Sequence, residues 1–314
     1  MKTLLITLLL CLSTSLAQAS AVIIDAKGKI SIKTSDKKSV PAQIGQELPD
    51  GTQINPEKNS SISIMLSNGT IAEIASGQKY TVGKPGKAKQ ETTVIQGLAL
   101  AMNEATATGA QPTVHGMVKM TTLGPGAPEP VVDSAGPGGD LRAEYPLNIA
   151  LILPEAIDFS WNKDAKIDFP NPVLVIEDEQ KKQLLVKNVD QKSSSLKINS
   201  HISKFQPGQN YSWYFASQTK GQIQGKTRRF NFSLLSRAAE QKLKSDLREI
   251  EKMNISKSGQ DFLMAQLYFR AKMYDKMVEK LLPLWEQNKT DLLKKELFLG
   301  YHRLGKPSEA AKYQ

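Results

Sequence analysis

The chain has 314 residues, of which 23% are charged, and 41 Lys and Arg against 31 Asp and Glu give a formal net charge of +10. Length alone suits two or three domains. One cysteine, Cys11, leaves no material for a disulfide framework or a thiolate metal cluster, and lysines scattered without interleaved aromatics argue against nucleic-acid binding.

The first residues read as a secretory signal peptide. Lys2 supplies the positive region, Leu4 to Leu12 an apolar run, and Ala17-Gln18-Ala19 a small-x-small cleavage site. Even from Leu4 to Leu16 a helix covers only about 20 Å, against a hydrocarbon core of about 30 Å. Cleavage is therefore expected rather than anchoring. Ala19-Ser20-Ala21 is a second site, so the cut is expected after Ala19 or after Ala21. Leu10 precedes Cys11 where a lipoprotein needs a small residue, so no lipid is expected, and the mature chain holds no thiol. No later stretch approaches a membrane span. The expected location is the periplasm, in soluble form. There the basic charge suits anionic partners, while a merely soluble surface is the plainer reading.

Residues 20–123 are read as an all-β domain. Val22-Ile23-Ile24 and Ile30-Ser31-Ile32 are short β-branched runs around Lys27-Gly28-Lys29, and Pro49-Asp50-Gly51 marks a turn. Ile62, Ile64 and Leu66 alternate with Ser61, Ser63 and Met65, which predicts a strand with one buried face. Asn68-Gly69 predicts a hairpin turn at positive φ. Ile71 and Ile74 lie three apart, so a bulge or a longer loop is expected in the return strand.

The pattern Gly45-x-x-Leu48-x-x-Gly51-x-x-Ile54, then Ile62-x-Ile64-x-Leu66-x-Asn68-Gly69-Thr70 and Ile74, resembles the FecR domain. The chain departs from that family at Thr52 and Asn68, where Asp is favoured, and at Pro56, where Thr is favoured. The likeness covers roughly a fifth of the chain and rests on turns and core positions. It implies a periplasmic location and an interaction role, with no catalytic residues.

Residues 84–123 yield less. Val94 to Met102 is apolar, and Val114, Met117 and Val118 suit a last strand. Residues 124–144, with Gly124-Pro125-Gly126 and Gly136-Pro137-Gly138-Gly139, read as a linker. Over 145–235, Phe159-x-Trp161, Leu174-x-Ile176, Leu184-x-Val186, Tyr211-x-Trp213-x-Phe215 and Phe230-x-Phe232 predict a β-sandwich. The Trp161 strand and Pro207-Gly208-x-x-Tyr211-x-Trp213 resemble immunoglobulin-like or fibronectin type III-like modules. Trp161, Tyr211 and Trp213 are read as core, with a sugar-stacking platform as the alternative.

From 236 to 314 the pattern is helical. Leu243, Leu247 and Ile250 mark one face of a helix ending near Asn254; 262–270 and 274–288 form a pair, and 292–304 another helix. Tyr268, Lys272 and Met277 are repeated by Tyr301, Gly305 and Ala310, which resembles the tetratricopeptide (TPR) pattern. Ala265, Tyr268, Tyr274 and Leu281 match its first copy. Tyr268, Tyr274 and Tyr301 are the candidate partner-binding residues. A plain helical hairpin is the other reading.

His115, His201 and His302 have no companions at ligand spacing, so no metal site is expected. Glu177-Asp178-Glu179 is read as a turn cap rather than an acid–base pair. No catalytic motif occurs, and neither catalytic nor cofactor-binding residues are expected. The fold class is multidomain β plus α: an N-terminal FecR-like domain, a β-sandwich and C-terminal TPR-like hairpins. The function expected is a non-enzymatic envelope adaptor for proteins. The alternatives are a binder of peptidoglycan or another anionic glycan and, lower, a component of sigma-factor signalling.

Overall fold

The computed structural model describes residues 21–34, 39–84, 89–91, 143–162, 171–200 and 204–314. The signal segment with Ala17 and Ala19, the apolar run 94–102, the strand expected over 114–118, the linker 124–139, His115 and His201 lie outside these residues. The described chain is mixed β and α: sheets of mostly antiparallel strands, then five helices.

The first β unit has two sheets. β1 (Ala21–Lys27), β4 (Glu47–Leu48), β6 (Ser61–Leu66), β7 (Ile71–Ile74) and β9 (Lys89–Glu91) make one, in the order β4-β1-β6-β7-β9. β2 (Ile30–Lys33), β3 (Ser39–Pro41), β5 (Gln53–Pro56) and β8 (Tyr80–Thr81) make the other, in the order β3-β2-β5-β8. Ile23, Ile32, Leu48, Ile54, Ile62, Ile64 and Ile74 form its aliphatic core. Burying each such side chain favours folding by roughly 1.5–3 kcal/mol.

Two expectations need correcting here. β6 does not have one buried face: Ile62 and Ile64 face the aliphatic core, while Met65 is buried on the other side in the core that contains the helices. Of the bulge or longer loop expected at the return strand, no bulge falls in β7, because β6 and β7 pair without a break from Ile62↔Ile74 to Met65↔Ile71, and the longer loop is what forms. Ile71 and Ile74 are three apart because they point to opposite faces, and both faces are covered. The bulge falls in β1 instead, between Ile23 and Asp25. The hairpin at Asn68-Gly69 places only Gly69 at positive φ (82°), and Asn68 Oδ1 accepts from Thr70 N at 3.0 Å. That is the three-residue hairpin loop closed by a left-handed glycine, not the two-residue type.

In the second β unit, β10 (Ala143–Tyr145), β12 (Ala156–Trp161) and β15 (Ser195–Asn199) form a three-stranded sheet. Facing it are β11 (Ile149–Leu151), β18 (Phe230–Leu234), β16 (Asn210–Thr219), β13 (Pro172–Asp178) and β14 (Gln183–Asn188), with β17 (Gln222–Lys226) paired to β16. β11 runs parallel to β18. β10 opens the unit at Ala143, inside the stretch read as linker. Between the sheets, Phe159 meets Trp213 edge-on at 5.3 Å and Trp161 meets Phe215 at 4.9 Å. Trp213 Nε1 donates to Pro146 O at 2.8 Å, so its one polar atom is satisfied inside the core.

The helices are α1 (Arg237–Lys252), α2 (Lys257–Arg270), α3 (Tyr274–Gln287), α4 (Asp291–Arg303) and α5 (Pro307–Ala310), with a 3-10 turn at Ala311–Tyr313. Ser236 and Ser256 cap α1 and α2 through N–H···Oγ bonds of 3.1 Å from Ala239 and Gly259. α2 and α4 end in the same way. Lys272 (φ 58°) and Gly305 (φ 68°) occupy the left-handed position after each helix. Met273 N donates to Tyr268 O at 2.9 Å, and Lys306 N donates to Tyr301 O at 3.0 Å. This is one Schellman turn made twice, thirty-three residues apart.

The helices join both β units in one continuous apolar core, which includes Val22, Ile24 and Met65 of the first unit and Phe159, Trp213 and Phe232 of the second. The starts of α2 and α4 meet the first unit. Asp25 Oδ2 accepts from Ser256 N at 3.1 Å, and Thr290 Oγ1 reaches Ile44 O at 3.5 Å. Backbone approach is close here: a Cβ on Gly259 would stand 2.6 Å from Ile24 O. The turns that end α2 and α4 meet the second unit. Ala150 N donates to Lys272 O at 3.0 Å, and Gly305 packs under Leu147. α2 and α4 thus run as struts from one β unit to the other.

Candidate functional site

The helical repeat sorts the three candidate tyrosines by depth. Tyr274, the first residue of α3, is only 8% exposed and packs against the Phe269 ring at 5.9 Å. Burial pushes its hydroxyl up, against the opposing charge of Arg303. Tyr274 is therefore interior and is not open to a partner, because the Schellman turn at Lys272 folds α3 back onto α2. Tyr268 is half-buried, and burial raises its hydroxyl although Lys280 and Lys276 oppose the shift. Tyr301 takes the equivalent place in the second hairpin and is also half-buried.

Tyr301 gathers further rings. It stacks on Tyr313 with centroids 5.7 Å apart and planes 13° from parallel. Tyr313 meets Trp285 edge-on at 5.8 Å, and Lys289 Nζ lies 4.6 Å from the Trp285 ring centre. Trp285 is on α3, Tyr301 on α4 and Tyr313 on the 3-10 turn, so three elements build one half-exposed strip. Its charges are mixed, with Lys289 bound to Glu286 at 3.3 Å and Lys312 to Glu309 at 2.7 Å. Half-exposed aromatics framed by charged residues match the make-up of protein interface anchors. Sequence periodicity pointed to Tyr301 but missed Trp285, Tyr313 and Lys289. The repeat contains no signal for them, since Tyr313 reaches Tyr301 only because the turn at Gly305 folds α5 and the 3-10 turn back along α4.

Other sequence candidates are spent on structure. Trp161, Tyr211 and Trp213 are buried, which removes them as a sugar platform. Tyr211 Oη instead accepts from Gln206 N at 2.7 Å. The acidic run divides. Asp178 Oδ1 accepts from Lys182 N at 2.9 Å and closes the β13–β14 turn. Glu177 is buried, where Tyr214 Oη donates to it at 2.7 Å and Arg229 Nε at 3.0 Å. Burial and the Glu177 carboxylate push the Tyr214 hydroxyl up to about 12, so it stays protonated. This cluster neutralises itself, and neither a base nor an acid is left over.

A shallow cleft in the second β unit is lined by Leu153, Pro154, Glu155, Ser200, Lys204 and Phe205. Ser200 Oγ is engaged there, donating to Pro154 O at 2.5 Å. Among the described residues, no group of three or more His, Cys, Asp or Glu is placed to hold a metal ion. His302 is exposed on α4, 6.0 Å from the Phe298 ring. Among the described residues, no helix is long and apolar enough to cross a membrane.

No family model matches the chain, and no curated protein matches it. Among solved structures it is similar to the chicken CNTN1 FN1-FN3 domains, at 9% identity over 70% of this chain and 59% of that one, with a TM-score of 0.19. It is also similar to a beta-1,2-glucanase from Parabacteroides distasonis, at 9% identity over 94% of this chain and 48% of that one, with a TM-score of 0.22. The chain spans less than two thirds of either length. At these TM-scores neither likeness bears on fold or activity.

Proposed function

We propose that the protein is a non-enzymatic, exported adaptor of the cell envelope that holds protein partners through the Trp285–Tyr301–Tyr313 strip. The observation that carries this reading is the strip itself: three half-exposed rings from three elements, with Tyr301 at its centre on α4, a helix that bridges the two β units. A rigid frame lowers the ordering cost of binding.

The finer assignments follow the same lines. A FecR-like reading of the first unit is supported by Gly45 and Gly51 at positive φ and by Leu48, Ile54 and Ile62 in its core. An immunoglobulin-like or fibronectin III-like reading of the second is supported by the Tyr211 hydroxyl returning to the backbone at Gln206, as a tyrosine corner does. The doubled Schellman turn supports a TPR-like reading of the helices. Export rests on the signal-like N-terminus. Ala21 is 2% exposed and pairs with Leu48 and Leu66, which favours cleavage after Ala19, since a cut after Ala21 removes a core residue.

Deleting 236–314 would strip apolar cover from both β units, so the test uses substitutions. Trp285→Ala with Tyr301→Ala is expected to keep the circular dichroism spectrum and to lose specific protein partners in pull-downs from envelope extract. Retention of every partner sinks the reading. Sedimentation with purified peptidoglycan that depends on the same rings and on Lys289 favours the glycan-binding alternative. The mature N-terminus, read by mass spectrometry from a periplasmic fraction, is expected at Ser20.

A further inference from the structure

Glu296 has no place in the aromatic strip, yet at 2% exposure it is the most buried carboxyl group among the described residues. It belongs to the buried stripe of α4, with Leu292, Leu293, Leu297 and Gly300. Gln266 on α2 donates Nε2 to both of its oxygens at 2.8 Å. That partner is an uncharged amide, which solvates a carboxyl group without cancelling its charge. The charged group that acts on Glu296 across the junction is Glu47 of β4. Lys295, its neighbour on α4, is turned to Glu47 at 3.5 Å. α3 contributes no charge that acts on it.

Its position links it to the first junction. One turn earlier on α4, Leu293 lies over Gly45, and at the cap of the helix Thr290 Oγ1 reaches Ile44 O. Residues three positions apart on a helix are neighbours, so Glu296 lies beside Leu293, and a shift of this first part of α4 carries Leu293 and the Thr290 cap with it. A neutral carboxyl group suits this place. A carboxylate would bring into the buried stripe of α4 a charge whose direct partner is only the Gln266 amide, in a field that Glu47 makes less favourable.

We propose that Glu296 is an alkaline-sensitive latch: its neutral form keeps α4 seated between α2 and β4, and its ionisation loosens the helical unit from the first β unit. Burial pushes the carboxyl group from an ordinary 4.5 up to about 8; Glu47 adds to the shift and Gln266 opposes it. The folded chain therefore binds the proton more tightly than the unfolded chain does. The stabilisation is whole below about pH 4.5, declines as pH rises, and is lost as pH passes through about 8.

Hydrogen exchange of the whole mature chain between pH 6 and pH 9, corrected for intrinsic rates, tests this. Protection over residues 43–48 and 288–300 is expected to fall roughly tenfold or more, with residues 211–219 of the second β unit nearly unchanged. Glu296→Gln keeps the shape and is expected to abolish the fall. Glu47→Gln is expected to move it to lower pH, because it removes the charge that raises Glu296. An equal fall in Glu296→Gln, a fall as large at 211–219, or an unmoved transition in Glu47→Gln overturns the latch.

Discussion

The helical unit meets the first β unit and the second by different means. Toward the first, the starts of α2 and α4 approach the sheet closely, with Gly259 against Ile24 O and Gly45 under Leu293. Two polar groups, Asp25 and Thr290, are buried in that contact. Toward the second, the contact is made by chain turns, with Lys272 and Gly305 in left-handed conformation against Ala150 and Leu147. Close approach at glycine serves both junctions, but the first adds polar groups buried at helix starts and the second the left-handed turns at helix ends. A repeat of two hairpins supplies both, because each strut has a start and an end. A single substitution therefore damages the two junctions by different mechanisms.

The largest effect is expected at the first junction. Leu293→Ala removes a fully buried side chain and should cost about 3 kcal/mol in urea unfolding. A loss under about 1 kcal/mol would mean that the sheet and α4 are not packed as described. Gly259→Ala comes next. Its Cβ has no room before Ile24 O, and a loss of about 2 kcal/mol is expected as a lowered midpoint. At the second junction, Gly305→Ala should cost about 1–2 kcal/mol, because the residue is at φ 68° and the new Cβ meets Leu147. Shortening Leu147 to Ala in the same chain relieves only the steric part, so a double-mutant cycle separates conformation from clash. The smallest effect has the opposite sign. Lys272→Gly relieves the left-handed strain that Gly305 avoids, and a gain of about 0.5 kcal/mol is expected by thermal melting. A loss on that substitution would show that the Lys272 side chain, rather than its backbone, supports the junction.

Much of the fold was legible in local pattern. The β-branched runs of the first unit and the aromatic alternation around Trp161 and Trp213 became strands, and the return of Tyr268 and Lys272 as Tyr301 and Gly305 became two helix ends closed by the same turn. Of the candidate site, only Tyr301 was legible. Tyr274 followed the repeat but was buried by the turn before it, and Trp285 and Tyr313 carried no periodic mark. Ile71 and Ile74 show the limit well. Their spacing suggested a bulge or a longer loop, since a strand with one buried face cannot hide residues three apart. The strand is regular, and the helices supply the second cover.

Sequence by itself therefore determined the strongly patterned strands, the main turns and the longer helices, because those depend on neighbours a few residues away, while short strands such as β10 (Ala143–Tyr145) and β11 (Ile149–Leu151) carried no such pattern. It also determined that the two β cores differ, one aliphatic and one aromatic. Only the tertiary structure decided that α2 and α4 bridge both β units, that Asp25 receives Ser256 N, and that Glu296 is closed in opposite Gln266. Those outcomes depend on which surfaces meet across more than two hundred residues of chain in the case of Asp25. Burial of a face is set by its partner, and no local pattern names the partner.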